Sequence, residues 1–210
     1  MIKAILFDLD GVLADMCDLH YKALNLALKE VGYSQLHISQ EERFIYEALP
    51  TKIKLEMLSK NKGLPTELHA NINRLKQEKT ISLINNGLTL YNEFEIISSL
   101  VMEDNLKLAC CSNSVRKTIE VALQALAIRT FFDCIVSNED VVCPKPSPEC
   151  YIKAMNHFRV TPRETLVIDD SERGIEAGFA SKAWVLPVKN CEALDLKLIR
   201  NFIKGINRYG

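Results

Sequence analysis

Acidic residues crowd around a glycine near the start of the chain, in the stretch FDLDGVLAD that spans residues 7–15. The stretch overlaps the apolar run Ala4–Phe7, which is too short for a helix and is typical of a strand buried on both faces. Burial disfavours the charge of a carboxylate, and carboxylates grouped together repel one another. Mg²⁺ removes this conflict because it prefers oxygen ligands, including one or two carboxylates. The stretch therefore predicts a metal site at the end of the first strand.

Polar residues that could act on a phosphate follow three later apolar runs of the chain. They are Ser112, Asn113, Ser114 and Arg116 after the run 106–111, Lys145 after Cys134–Val136, and Asp169 with Asp170 after the run 166–168. Open parallel sheets bind ligands beyond the carboxyl ends of their strands. These segments are therefore expected to meet in one pocket, where Asp8, Asp169 and Asp170 suit the metal.

A carboxylate held beside Mg²⁺ can attack a phosphoryl group, so we expect Asp8 to form an aspartyl-phosphate. Phosphoryl transfer requires charge neutralisation around the transferred group. Lys145 would supply a cation, and the Ser112 hydroxyl would supply a hydrogen-bond donor at the start of a helix. Asp10 would protonate the leaving alcohol and then deprotonate the attacking water. It can address the same side as Asp8 because side chains at i and i+2 of an extended chain share a face.

Substrate contacts are less sharply defined by the sequence. Asn113, Ser114 and Arg116 begin the helix after the second strand, where an anion contact and a purely solvated helix start are both open. His20 is a further candidate, although a histidine on an apolar helix face is more often packed and satisfied. Lys76 is interpreted as a surface charge.

The elements that hold these residues follow from the pattern of apolar runs. Five short runs are predicted as buried strands: Ala4–Phe7, 106–111, Cys134–Val136, 166–168 and 183–188. Helical patterns lie between the later runs, at 115–126, 148–158 and Glu172–Ala180. This alternation predicts an α/β fold, a doubly wound parallel sheet with right-handed crossovers.

The interval between the first strand and Ser112 is too long for one crossover. A βαβ unit typically needs about thirty residues, whereas this interval spends about a hundred. Residues 16–86 instead show successive amphipathic helical patterns, in 19–31, near 41–60 and in 66–84. We therefore predict an α/β core formed by residues 1–15 and 87–210, and a helical domain, residues 16–86, inserted after the first strand.

The overall composition is that of a soluble globular protein whose partner is a small molecule. Of the 210 residues, 48% are hydrophobic and 25% are charged, and the net charge is −1. This charge supplies no basic field for binding nucleic acid or a membrane through bulk electrostatics. We therefore expect a small molecule as the partner, and the phosphate chemistry described above makes it a small phosphorylated metabolite. We also expect a monomer.

The cysteines and the start of the chain indicate a cytoplasmic protein. The seven cysteines are an odd number and lack the C-x-x-C spacing of zinc or dithiol sites, so we interpret them as reduced residues that fill apolar positions. The first strand follows Met1 too closely for a signal peptide. Apolar runs also stay well short of the roughly 20 residues that span a bilayer.

These residues, in this order, resemble the motifs of the haloacid dehalogenase superfamily of phosphotransferases. The resemblance lies in Asp8-Leu9-Asp10-Gly11-Val12, Ser112, Lys145-Pro146, and Asp169-Asp170-Ser171 followed by Gly174-Ile175-Glu176-Ala177. It implies a Rossmann-like core with Asp8 as nucleophile and metal ligand. It also implies metal ligation by Asp169, Asp170 and the main-chain carbonyl of Asp10.

The helical insertion resembles the small cap of phosphoglycolate phosphatase-like and β-phosphoglucomutase-like enzymes. Within it, His20 matches a histidine of β-phosphoglucomutases and of many sugar-phosphate phosphatases. The resemblance therefore implies a cap domain that accompanies the α/β core.

The leading expectation is a Mg²⁺-dependent phosphatase that acts on a small phosphomonoester such as a sugar phosphate. A sugar-phosphate mutase of the β-phosphoglucomutase type shares every core residue and stays open. A dehalogenase is disfavoured because that branch lacks a carboxylate equivalent to Asp10. A non-catalytic phospho-signalling module is also disfavoured, since receivers carry their acidic pair first, whereas Asp169 and Asp170 come last.

Overall fold

The structure is a computed structural model that describes residues 1–46 and 49–209. Its strands are β1 (Ala4–Phe7), β2 (Lys107–Cys111), β3 (Cys134–Val136), β4 (Thr165–Asp169) and β5 (Trp184–Pro187). Its helices are α1 (Cys17–Glu30), α2 (Arg43–Tyr46), α3 (Thr51–Lys62), α4 (His69–Asn85), α5 (Glu93–Met102), α6 (Arg116–Ala125), α7 (Glu149–Phe158), α8 (Glu172–Ala180) and α9 (Leu196–Tyr209). None of the helices in these described ranges is long and apolar enough to cross a membrane.

The five strands form one parallel sheet in the order β3-β2-β1-β4-β5. β1 is central, and all of its side chains are buried, which explains its unbroken apolar sequence. The strand order reverses between β1 and β4, and such switch points open a crevice at the carboxyl ends of the strands. This architecture confirms the predicted doubly wound α/β fold. It also places Asp8 and Asp169 at two neighbouring strand ends.

Helix α7 is joined to the sheet through a shared hydrophobic core. Its side chains Tyr151, Ala154 and Phe158 pack in one cluster with buried residues of β1, β2 and β4. Full burial of a large apolar side chain contributes about 1.5–3 kcal/mol. The packing therefore fixes the position of α7 against the strands that carry the acidic residues.

The chain divides into two compact units, residues 1–15 with 88–210 and residues 16–87. The second unit contains α1 to α4, and its core includes Leu24, Leu28, Leu55, Leu58 and Ile72. The predicted helical segment near 41–60 includes residues 47 and 48, which lie outside the described residues. The assignment of residues 16–86 as an inserted cap domain stays a prediction.

The cysteines follow the interpretation from sequence only in part. The buried or half-buried free thiols are Cys110, Cys111, Cys134, Cys150 and Cys191. The interpretation is wrong for Cys17 and Cys143, whose free thiols belong to exposed residues. Both lie outside the regular strands that bury apolar runs, since Cys17 begins α1 and Cys143 lies in the loop before α7.

Candidate active site

Asp8 and Asp169 lie side by side because β1 and β4 are neighbouring parallel strands. Phe7 pairs with Ile168 in register, and the Asp8 backbone N–H donates to the Ile168 carbonyl at 2.9 Å. Asp169 is the last residue of β4, and both aspartates are buried. The sheet register therefore brings two acidic side chains together at the carboxyl edge.

Lys145 reaches both carboxylates from the loop between β3 and α7. Its ammonium donates to Asp8 Oδ1 at 2.6 Å and to Asp169 Oδ2 at 2.8 Å, and the side chain is 3% exposed. Asn113 accepts from the Lys145 backbone N–H at 3.0 Å and donates to the Lys145 carbonyl at 3.4 Å. Both ends of the Asn113 amide therefore brace the lysine loop. These contacts use one of the two N–H groups of the amide, so the substrate contact of Asn113 stays a prediction.

Each carboxylate oxygen of Asp169 accepts two hydrogen bonds. Oδ1 accepts from the Ser171 N–H at 3.0 Å and from the Ser171 hydroxyl at 2.8 Å. Oδ2 accepts from Lys145 at 2.8 Å and from the Tyr151 hydroxyl at 2.6 Å. A carboxylate offers about four lone-pair sites, so Asp169 is fully engaged by the protein. Its predicted ligation of a metal would require the exchange of one of these hydrogen bonds.

Tyr151 is a residue of this site that the sequence analysis missed. It lies on α7 and is fully buried, and the Lys145 ammonium stands 4.8 Å from the centroid of its ring. The available signal was a polar-tipped side chain on the apolar face of a helix shortly after Lys145. Buried tyrosine hydroxyls usually find a hydrogen-bond partner. That rule predicts a polar neighbour for Tyr151 without saying which one.

The carboxylates of Asp8, Asp169 and Asp170 can approach a single cation. One ligand oxygen from each lies within 4.8 Å of the others. Asp170 Oδ1 is buried and has no hydrogen-bond partner among the described residues. A buried acceptor of this kind is costly unless something compensates it. Because hard oxygen donors suit Mg²⁺, the residues present fit the predicted metal.

Two glycines let the backbone pack directly against these acids. A Cβ added to Gly11 would lie 2.1 Å from Asp170 Oδ2, and one added to Gly174 would lie 1.9 Å from Asp169 Oδ2. Gly11 also has a φ of +89°, a left-handed conformation that favours glycine. Steric contact with the aspartates therefore explains why glycine, rather than a larger residue, occupies positions 11 and 174.

The electrostatics of the cluster show an excess of negative charge. Burial raises the pKa of Asp8 to about 8, a shift that Lys145 opposes and that Asp169 and Asp170 reinforce. Burial and the adjacent Asp169 raise the pKa of Asp170 to about 6. One ammonium therefore does not balance three carboxylates, and a divalent cation would supply the missing positive charge.

The remaining predicted residues of this unit differ in what they contact. Ser112 follows β2 and is buried, and its hydroxyl oxygen accepts from the Ser114 N–H at 3.1 Å. Arg116 begins α6, but its guanidinium binds Asp140 at 2.7 Å. This ion pair uses only part of the guanidinium, so the substrate contact of Arg116 stays a prediction. Asp10 is half-buried in the turn after β1, and the acidic cluster found among the described residues does not include its carboxylate.

His20 belongs to the helical unit, where it contacts a lysine. Its Nδ1 lies 3.1 Å from Lys76 Nζ, and Lys76 is buried. The interpretation of Lys76 as a surface charge is therefore wrong, because α1 packs against α4 and brings His20 to it. Burial lowers the pKa of His20, and the charges of Lys76 and Lys54 lower it further. The substrate role of His20 stays a prediction.

The fold and the carboxylate–lysine cluster together define an α/β protein with a candidate active site at the carboxyl edge of a parallel sheet. A family model described as haloacid dehalogenase-like hydrolase matches residues 5–188. The chain therefore belongs to the haloacid dehalogenase-like hydrolases, as the resemblance of its motifs predicts.

Named relatives are similar to this chain in sequence and in fold. The phosphorylated carbohydrates phosphatase of Thermotoga maritima is 27% identical over 186 residues, which cover 84% of this chain and 80% of that protein. The crystal structure of CbbY from Rhodobacter sphaeroides with phosphate is 27% identical, with a TM-score of 0.79, and covers 90% of this chain and 86% of that one. A second structure of CbbY, with xylulose-(1,5)bisphosphate, is 25% identical, with a TM-score of 0.80, and covers 93% and 91%.

The β-phosphoglucomutase of Clostridium difficile shares the fold. It is 24% identical, with a TM-score of 0.80, and covers 100% of this chain and 99% of that one. The family match and the named relatives support the conclusion that the chain is an enzyme of this hydrolase family.

Proposed function

We propose that this protein is a Mg²⁺-dependent phosphatase that hydrolyses a small phosphomonoester, a sugar phosphate or similar metabolite, through an aspartyl-phosphate on Asp8. The observation that carries the proposal is the buried cluster in which Lys145 binds Asp8 while Asp170 keeps an oxygen without a protein partner among the described residues. Such a cluster offers a nucleophile, a fixed cation and a place for a divalent ion. The phosphatase relative and the phosphate-bound CbbY support a phosphate ester as the ligand.

Asp8 and Asp170 would hold the ion, together with the main-chain carbonyl of Asp10 that the family resemblance implies. Bound Mg²⁺ neutralises negative charge on the carboxylates and on the substrate phosphate. In the first step, Asp8 attacks phosphorus and takes up the phosphoryl group while the alcohol leaves. The ester bond breaks as the aspartyl-phosphate bond forms.

The other side chains of the cluster assist this transfer. Lys145 stabilises the charge on the transferred group, and two carboxylates hold its ammonium before any substrate binds. The Ser112 hydroxyl donates to a phosphoryl oxygen. Asp10 donates a proton to the leaving alcohol and then accepts one from the water that hydrolyses the aspartyl-phosphate. This second step releases inorganic phosphate and restores Asp8.

Removal of the metal is expected to abolish most of the phosphatase activity. Without a divalent cation, the charge of a phosphate ester adds to the charges of Asp8, Asp169 and Asp170 at short range. Excess EDTA should therefore remove about 90% or more of the phosphate release, and added Mg²⁺ should restore it. The assay measures inorganic phosphate from pentose phosphates, hexose phosphates and xylulose 1,5-bisphosphate, and atomic emission verifies the metal content. Full turnover by metal-free protein would contradict the role of the metal.

The mutase alternative differs in the acceptor of the phosphoryl group. In a mutase, a substrate hydroxyl takes the phosphoryl group from the aspartyl-phosphate, whereas in a phosphatase water takes it. The same panel is therefore assayed for isomerisation as well as for phosphate release. Isomerisation of a hexose phosphate, with no phosphate released from any ester, would exclude the phosphatase proposal in favour of a mutase.

We also propose that the protein is a cytoplasmic monomer whose partner is a small metabolite. The net charge of −1 offers no field that attracts nucleic acid or an anionic membrane. Light scattering of the purified protein tests the monomer.

A further inference from the structure

We propose that Tyr151 is a positioning residue for the phosphoryl-transfer step: its hydroxyl anchors Asp169 so that this carboxylate holds the Lys145 ammonium against Asp8. The inference rests on the proposed function, in which Lys145 stabilises the transferred phosphoryl group. It assigns to the tyrosine a task that acts through its neighbours rather than through contact with substrate.

Hydrogen bonds and a ring contact link the side chains of Tyr151, Asp169 and Lys145 into one network. The Tyr151 hydroxyl donates to Asp169 Oδ2 at 2.6 Å, and Lys145 Nζ donates to the same oxygen at 2.8 Å. Lys145 Nζ also lies 4.8 Å from the centroid of the Tyr151 ring, within the range of a cation–π contact. Tyr151 and Asp169 are 0% exposed and Lys145 is 3% exposed. In such a buried network, each contact depends strongly on the others.

The Tyr151 hydroxyl matters because the position of a lysine ammonium depends on the groups around it. Its ammonium is a point charge with rotatable donors on a flexible four-carbon stem, so the acceptors around it set its location. Asp8 Oδ1 and Asp169 Oδ2 are those acceptors. Without the Tyr151 hydroxyl, Asp169 Oδ2 would keep only Lys145 as a donor, while Oδ1 stays bound to Ser171. The carboxylate could then rotate about Oδ1, and the ammonium bound to Oδ2 would move with it.

A purely structural role for Tyr151 makes a different prediction. A hydroxyl that only satisfies a buried acceptor contributes to the free energy of unfolding. Its loss would lower stability and leave kcat of the folded enzyme unchanged. A positioning role instead lowers kcat of the folded enzyme more than it changes KM, because the ammonium is misplaced mainly for the transition state.

Tyr151→Phe separates these roles because it keeps the ring beside Lys145 and removes only the hydroxyl. We expect kcat to fall about tenfold or more, as is common when a supporting residue is lost, and KM to change less than kcat. The Mg²⁺ affinity, measured by titration calorimetry, should also change less than kcat, since Asp8 and Asp170 remain. Tyr21→Phe is the matched control: it removes a hydroxyl that donates to the Ile38 carbonyl in the helical unit, and should leave kcat unchanged.

A second readout reports on Lys145 without any turnover. A well-ordered buried ammonium exchanges its protons slowly and gives a ¹H–¹⁵N signal, which Lys145→Met would assign by its loss. We expect a sharp Lys145 signal in the wild type and a broadened or absent one in Tyr151→Phe, because the ammonium then samples several positions. An unchanged kcat of the folded variant, or an unchanged Lys145 signal, would overturn the proposal.

Two unnatural residues at position 151 keep the test decisive should Tyr151→Phe fail to fold. p-Aminophenylalanine keeps a donor at the tip of the ring, whereas p-fluorophenylalanine fills a similar space and donates no hydrogen bond. The proposal requires a higher kcat and a sharper Lys145 signal for the amino variant, and equal values overturn it. A wild type that releases no phosphate contradicts the proposed function instead, and the Lys145 signal then decides the positioning by itself.

Discussion

Replacement of Asp8 by asparagine is expected to abolish turnover while leaving the protein folded. The amide has the shape of the carboxylate but does not attack phosphorus, so kcat should fall by about 10⁴-fold or more. The fold should persist because the asparagine oxygen can still accept from Lys145, which also keeps Asp169 as a partner. Loss of one clustered charge also relieves repulsion among the carboxylates.

Phosphate release and circular dichroism on the purified Asp8→Asn variant test this expectation. Wild-type enzyme stopped with acid during turnover should carry a phosphoryl group detectable by intact mass spectrometry, and the variant should carry none. Asp133→Asn is the matched control because Asp133 is an exposed aspartate of the same unit. Retained turnover in Asp8→Asn would show that another group is the nucleophile.

The Gly174→Ala variant is expected to lose both stability and activity. The added Cβ would lie 1.9 Å from Asp169 Oδ2, far inside van der Waals contact, so Asp169 must move. That movement disrupts the hydrogen bonds from Lys145 and Tyr151. Overpacking and the lost hydrogen bonds should together lower the free energy of unfolding by about 2–4 kcal/mol. Because Lys145 then loses its fixed position, kcat/KM should fall about 100-fold.

Gly205→Ala provides a control with the opposite sign. Gly205 lies in α9, and a Cβ added there meets nothing within 4 Å. Helix propensity should therefore raise the free energy of unfolding by about 0.5–1 kcal/mol, without a change in turnover. Urea unfolding followed by circular dichroism measures both variants. A Gly174→Ala protein with wild-type stability and activity would refute the close approach between α8, which carries Gly174, and Asp169.

The elements of the α/β unit could be predicted because their physical cause is local. Unbroken apolar runs are typical of strands buried on both faces, and β1 to β5 each begin and end within one residue of the predicted runs. The meeting of Asp8, Lys145, Asp169 and Asp170 followed from one further rule, since the carboxyl ends of parallel strands share an edge. Their chemical roles stay predictions, and Asp8→Asn tests the role of the nucleophile.

The partners of individual side chains could not be predicted in this way. The sequence places Asn113 and Arg116 at a helix start open to an anion, but the fold pairs them with the Lys145 backbone and with Asp140. Lys76 is interpreted as a surface charge because lysines are usually exposed. The packing of α1 against α4 nevertheless brings it to His20. Each partner comes from a segment far away in the chain, so no local pattern indicates it.

Hydrophobic periodicity and the order of polar residues along the chain set the strands, the acidic strand ends and the class of chemistry, because these depend on near neighbours. Only the packed molecule decided that Tyr151, carried by a helix, shares an oxygen of Asp169 with Lys145. It also decided that Asp170 keeps a buried oxygen without a protein partner among the described residues. Such contacts depend on differences of a few tenths of an ångström between distant segments, and the spacing of residues in the sequence does not encode those distances.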